Sequence, residues 1–117
     1  MYEILIVGGG PAGLTAAIYA ARAGKHVAVL ERGSTGGQII SAPLVENYPG
    51  IPSVSGTELA RQMTEQACTF GAEIVYTEAV GLEKTPAGFR VLCTDGVREA
   101  KTVILATGAA HRSLGLA

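Results

Sequence analysis

Sulfur and unbalanced charge are both scarce in this 117-residue sequence. Nine Lys and Arg stand against ten Asp and Glu, a formal net charge of −1, and the basic residues are spread along the chain. No basic stripe of the kind that tracks a phosphate backbone is present, which argues against nucleic acid as a partner. The two cysteines, Cys68 and Cys93, lie far apart and form no C-x-x-C motif. They read as buried or half-buried free thiols. Nothing in so low a cysteine content calls for an oxidising compartment, so cytoplasm is the expected location. There is also no internal repeat, no low-complexity segment and no grouping of residues that implies a metal.

Charge is missing altogether between Ile4 and Ala21, close to the length of a membrane helix. Glu3 precedes that run where a signal peptide would carry basic residues. Three consecutive glycines and Pro11 break it in the middle. A strand, a turn and a helix explain the stretch, and no membrane span is expected. Apolar residues make up 48% of the chain, and the mean hydropathy of +0.33 is high for so small a soluble domain. That suits a segment that buries one face against further chain, and it predicts a dimer or other self-association.

The pattern of elements predicts an α/β fold. Ile4-Leu5-Ile6-Val7 is a short apolar run ending at glycines, as a strand buried on both faces would be. Pro11 then occupies a first helical position. Leu14, Ala17, Ile18 and Ala21 follow at helical spacing, and Gly24 stops the helix. His26 to Glu31 forms a second strand. Residues 32–56 lack periodicity, and so long a loop in a compact domain is usually functional or disordered. Ser55 and Glu58 read as a capping box. They open a helix to about Phe70, with Leu59, Met63, Ala67 and Phe70 on its apolar stripe and Gly71 as terminator. A third strand spans Glu73 to Tyr76. Residues 79–85, 88–94 and 97–105 then form an antiparallel meander, turning at Pro86-Ala87-Gly88 and at Asp95-Gly96, the latter a strong hairpin signal. The whole is a Rossmann-like parallel sheet with an added three-stranded β-meander, one incomplete domain over residues 1–117.

The chemistry gathers at Gly8, Gly10 and Gly13, a G-x-G-x-x-G set in its required strand-turn-helix context. Gly8 permits the tight turn, Gly10 lets a pyrophosphate approach the backbone, and Gly13 lets helix and strand pack closely. Pro11, Ala12 and Gly13 open the helix, whose unpaired N–H groups and partial positive charge suit a pyrophosphate. Glu31 lies 18 residues past Gly13, near the spacing of about 20 expected of a ribose-binding carboxylate. It would accept from a ribose hydroxyl and repel a 2′-phosphate. Its neighbour Arg32 joins the candidate cofactor residues. These features alone leave FAD and NAD equally open. No catalytic residue is expected, and a catalytic role for His26 or His111 is not favoured.

Four stretches narrow the choice: GGGPAGLTAAIYAARAG at 8–24, GGQI at 36–39, VENYPG at 45–50 and ILATGAAHRSLG at 104–115. In order and spacing they resemble the FAD domain of the low-molecular-weight thioredoxin reductase family, over essentially the whole chain. The resemblance implies FAD as cofactor. It implies that Gly36, Gly37 and Gln38 lie along the flavin, with Asn47 nearby, and that a side-chain amide of Gln38 or Asn47 bonds the flavin or its ribityl chain. It implies that Ala79 offers backbone groups to the adenine, and that Ala106, Thr107 and Gly108 pass the cofactor as the chain leaves the domain. Arg112 matches an arginine of the family pattern but reads equally well as a surface residue. Tyr48 stands where the family often has Trp. Glutathione-reductase-like enzymes carry redox cysteines after the Gly-Gly, whereas Gln38-Ile39-Ile40 holds no sulfur.

The same resemblance implies a parent that passes electrons from NADPH through FAD to a disulfide, with thioredoxin or a similar protein as partner. A second glycine loop for NADPH and a redox C-x-x-C would follow near residue 117, and the chain would then return to finish the FAD domain. The sequence therefore predicts a truncated chain that is inactive alone and binds FAD weakly. Two other readings stay open: a ferredoxin- or flavodoxin-NADP reductase of the same build, and a stand-alone nucleotide-binding module without catalysis.

Overall fold

The structure, a computed structural model, describes residues 1–108. Strand β1 spans Tyr2–Val7 and leads into helix α1, Pro11–Arg22. Strand β2, Val27–Glu31, has four consecutive buried residues, as a strand covered on both faces requires. A short 3₁₀ helix at Gly37–Ser41 interrupts the long loop, followed by helix α2, Gly56–Thr69. Strands β3 (Glu73–Tyr76), β4 (Ala79–Thr85), β5 (Gly88–Cys93) and β6 (Gly96–Leu105) complete the described chain. The charge-free run from Ile4 to Ala21 is thus β1, a turn and most of α1. No described helix is long and apolar enough to cross a membrane.

All six strands form one sheet in the order β3-β2-β1-β6-β5-β4. The first three are parallel, the β4-β5-β6 portion is antiparallel, and β6 also pairs in parallel with β1. Strand β6 therefore belongs to both halves. Its first part pairs with β5 and its second with β1, and Ala100 is the partner of both Phe89 and Tyr2. At that junction Ala100 is fully buried.

The alternation of side chains along β1 and β2 divides the core between two faces. Ile6, Val27 and Val29 face α1 and α2, packing on Ala17, Ala21 and Ala67. Leu5, Ala28 and Leu30 face the meander, packing on Val91, Cys93 and Ala100. A third cluster, Leu14 with Leu59 and Met63, holds α1 to α2 and takes in Ile39, Val45, Ile51 and Val54. The loop without periodicity is thereby anchored by four apolar contacts, and bridges at Val45–Val54 and Tyr48–Ile51 fold it back on itself.

Several expectations change in detail. Phe70 caps α2 and stays exposed, so the buried stripe ends at Ala67. Cys68 is exposed, whereas Cys93 is buried; both are free. The Ser55 side chain accepts from the Glu58 N–H at 3.1 Å, but the Glu58 carboxylate turns to Arg61 and Gln62 (2.8 and 3.2 Å) rather than back to Ser55. Only half of the capping box forms, because a guanidinium one turn along is a stronger partner than a backbone amide. That pairing holds the Glu58 carboxyl down at about 2.

Candidate functional site

The parallel strands β1, β2 and β6 end at the same edge of the sheet, and the loops that leave them converge there. Gly8 makes the first turn at φ +110°, a left-handed conformation that favours glycine. A Cβ there would collide with the Ala106 carbonyl. Backbone bonds from Gly8 N to Leu30 O (2.9 Å) and from Ala106 N to Val7 O (2.8 Å) lock the three strand ends together. A Cβ on Gly13 would overlap the Gly8 carbonyl oxygen, so α1 sits on its strand as closely as backbones allow.

The first helical bond of α1 is Leu14 N to Gly10 O at 2.9 Å. The N–H groups of Ala12 and Gly13 precede it, and no acidic residue or side-chain cap occupies the first turn. The helix mouth is left free to receive an anion. A Cβ on Gly10 would meet only the Gly37 Cα, at 3.8 Å. Gly10 is therefore not demanded by packing, and its missing side chain keeps the approach to the helix open.

Glu31 ends β2 with its carboxylate turned to this mouth. Its Oε1 accepts from Gly9 N at 2.8 Å and its Oε2 from Gly33 N at 2.7 Å. Each oxygen keeps a further lone pair, so the two bonds orient the carboxylate without exhausting it. Beside it, Thr77 N donates to Glu31 O at 3.0 Å, bringing the β3–β4 link to the end of β2.

These pieces bound a cleft of about 710 Å³, within the range of roughly 300–1,000 Å³ usual for ligand sites. Of the sequence-predicted residues, Gly8, Gly10, Pro11, Glu31, Arg32, Gly37, Gln38, Ala79, Ala106, Thr107 and Gly108 line it. Four do not. Ala12 and Gly13 stand behind the mouth, offering backbone only. Gly36, at φ +103°, donates to Gly9 O at 2.7 Å and packs against Ala60, tying the loop to the glycine turn. Asn47 is exposed in the loop and away from the cleft. His26 lies at the opposite end of β2, near Glu73 (3.3 Å). His111 and Arg112 fall outside the described residues.

Sequence reasoning missed Thr77 and Glu78, which line the cleft beside Ala79, and Ile39, Ile40 and Ser41, which extend its wall beyond Gln38. The first pair could have been found by noting that the chain from β3 must cross the end of β2 beside Glu31. The second set carried no signal, since its place depends on the 3₁₀ turn.

A helix mouth facing a carboxylate at the next strand's tip, over a parallel 3-2-1 sheet, defines a fold of the Rossmann type. Residues 2–117 match the pyridine nucleotide-disulphide oxidoreductase family, and the chain belongs to that family. Thioredoxin reductase of Treponema pallidum is 44% identical over 116 residues, 98% of this chain and 38% of that protein. The crystal structure of thioredoxin reductase from Streptococcus pyogenes superimposes with a TM-score of 0.93 at 48% identity, covering 98% of this chain and 38% of that one. That of Lactococcus lactis gives 0.93 at 39% identity with the same coverage. The fold is thus that of the FAD-binding Rossmann domains of thioredoxin reductases. The chain spans a little over a third of the length of these relatives.

Proposed function

We propose that the cleft binds FAD and that the protein carrying this segment is a flavoprotein disulfide reductase of the thioredoxin reductase kind. The observation that carries the reading is the Glu31 carboxylate, held 2.8 Å from Gly9 N at the mouth of α1. A pyrophosphate seated on the Ala12 and Gly13 N–H groups would place one adjoining ribose against this carboxylate. Its hydroxyls would donate to the lone pairs that Gly9 and Gly33 leave free. A 2′-phosphate there would meet a negative charge, which favours FAD over NADP at this site.

The direction of the cofactor follows. The adenine continues past Glu31 toward Arg32 and the Thr77–Ala79 link. The flavin extends the other way, toward Gly37, Gln38 and Thr107, with Gly36 tying that loop to the glycine turn. When bound, the flavin would accept a hydride from NADPH and pass the electrons to a disulfide. The described residues of this segment bind and orient, and none among them is placed to move a proton. The names of the relatives support thioredoxin or a similar disulfide protein as the acceptor. The 117 residues hold neither a C-x-x-C nor a second G-x-G-x-x-G, so this segment by itself is expected neither to oxidise NADPH nor to reduce a disulfide. A cytoplasmic protein that self-associates through its apolar sheet surface completes the proposal.

Titration with FAD, followed by flavin fluorescence, tests the reading. Saturable quenching that ADP competes away is expected. Retention of neither FAD nor ADP by the folded chain would refute it.

A further inference from the structure

We propose that Asp95, in the β5–β6 hairpin turn, is a positioning residue for the nucleoside end of the cleft and acts through the hydroxyl of Thr77. The inference rests on the dinucleotide reading above. If phosphates lie at the mouth of α1 and a ribose at Glu31, the base lies against the link Thr77-Glu78-Ala79, all three of which line the cleft.

Thr77 and Glu78 belong to neither neighbouring strand, and Ala79 only opens β4, so the position of the link depends on three hydrogen bonds beside the pairing of Ala79 with Cys93. Thr77 N donates to Glu31 O at 3.0 Å, and Thr94 N donates to Glu78 O at 2.9 Å. The third is the only one made by side chains: Thr77 Oγ1 donates to Asp95 Oδ1 at 2.6 Å, across 18 residues of sequence. Thr77 is the one buried polar residue among those described, and its hydroxyl would be costly to leave unpaired. Asp95 is itself clamped by Arg98, whose Nη1 and Nη2 reach Oδ1 and Oδ2 at 2.7 and 3.1 Å. The Arg98 guanidinium first, and the Thr77 hydroxyl second, hold the Asp95 carboxyl far below the usual carboxylate range. It remains an ionised acceptor throughout the neutral range.

Asp95 does not line the cleft. Any effect of this residue on ligand binding must therefore travel through the wall it props. A turn residue chosen only for hairpin geometry would need no partner on the β3–β4 link, and the bond to Thr77 goes beyond that need. The Asp95-Gly96 turn thus joins the meander to the nucleotide site.

The test is a titration of ADP into this chain, followed by amide chemical shifts, with thermal stability measured alongside. Asp95→Ala is expected to weaken ADP by roughly three- to tenfold, the binding equivalent of one net hydrogen bond. Asp95→Asn keeps a good turn residue and an acceptor for Thr77, so its affinity should fall between Asp95→Ala and the unaltered chain. Thr77→Val should match Asp95→Ala, Thr77→Ser should restore affinity, and the Asp95→Ala/Thr77→Val double variant should be no worse than either single change. Lowered thermal stability with unchanged ADP affinity in Asp95→Ala would overturn the inference, as would full additivity in the double variant. Should Asp95→Ala fail to fold, Asp95→Asn and Thr77→Val decide the matter, and unchanged ADP affinity in both overturns it. If the unaltered chain binds no ADP, the dinucleotide reading fails and takes this inference with it.

Discussion

Two glycines of one motif do opposite work, and substitution should separate them. Gly8 is held at φ +110° with a carbonyl where a Cβ would go, so Gly8→Ala should destabilise the fold by roughly 2 kcal/mol or more in chemical denaturation. A Cβ on Gly10 makes only an ordinary contact with the Gly37 Cα, at 3.8 Å, so Gly10→Ala should shift the denaturation midpoint far less than Gly8→Ala while weakening FAD binding. Equal loss of stability in both variants would show that Gly10 serves packing and not a ligand. Glu31 serves both ends. Replacing it with Gln keeps the shape but removes the charge and gives one of the two amides, Gly9 or Gly33, a poorer partner. Glu31→Gln should weaken FAD by about tenfold or more in a fluorescence titration, since a bond to a charged acceptor contributes roughly 1.5–3 kcal/mol. Affinity equal to the unaltered chain would remove Glu31 from the ribose.

Helix α2 stands or falls with its first turn. Ser55 supplies the one side-chain cap, so Ser55→Ala should cost about 1 kcal/mol in a denaturant melt, and Ser55→Asp should recover it. The Glu58 carboxyl is held at about 2 by Arg61, a value depressed relative to the unfolded chain. Its contribution is fully present above the ordinary carboxylate range and is lost as pH falls through that range toward about 2. An acid titration of Glu58→Gln should accordingly lack the part of the low-pH stability loss that the parent shows. Most of these elements were legible in the sequence because each carries a local cause: Pro11 at a helix start, Ser55 as a cap, Asp95-Gly96 as a hairpin turn. What was not legible is set by tertiary neighbours. The Gly37–Ser41 turn forms because Ile39 packs on α2 and Gly36 bonds the glycine turn. The exposure of Asn47 reflects the path of the loop around it. The Thr77–Asp95 bond joins residues that no periodicity relates.

At the scale of the whole molecule, β6 decides the architecture. One strand completes the parallel sheet with β1 and the meander with β5, so the helix-covered face and the meander-covered face share a single hydrogen-bonded frame. The sequence implied both halves but could not reveal that they share a strand, because pairing is a property of two segments at once. Where β6 leaves the sheet, Ile104 and Leu105 are 38% and 65% exposed, among several large apolar side chains at the surface. A second copy of the chain is the expected cover for such a surface. Light scattering over a concentration series should show association that Leu105→Glu reduces, and a monomer at every concentration would contradict it. The central claim is more local: the pyrophosphate of FAD rests on the mouth of α1 while Glu31 holds a ribose. A crystal structure of the chain with FAD tests it most directly. Phosphate oxygens within hydrogen-bond distance of the Ala12 and Gly13 N–H groups, and a ribose hydroxyl on a Glu31 oxygen, are the expected result. FAD bound elsewhere, or with Glu31 turned out to solvent, would contradict it.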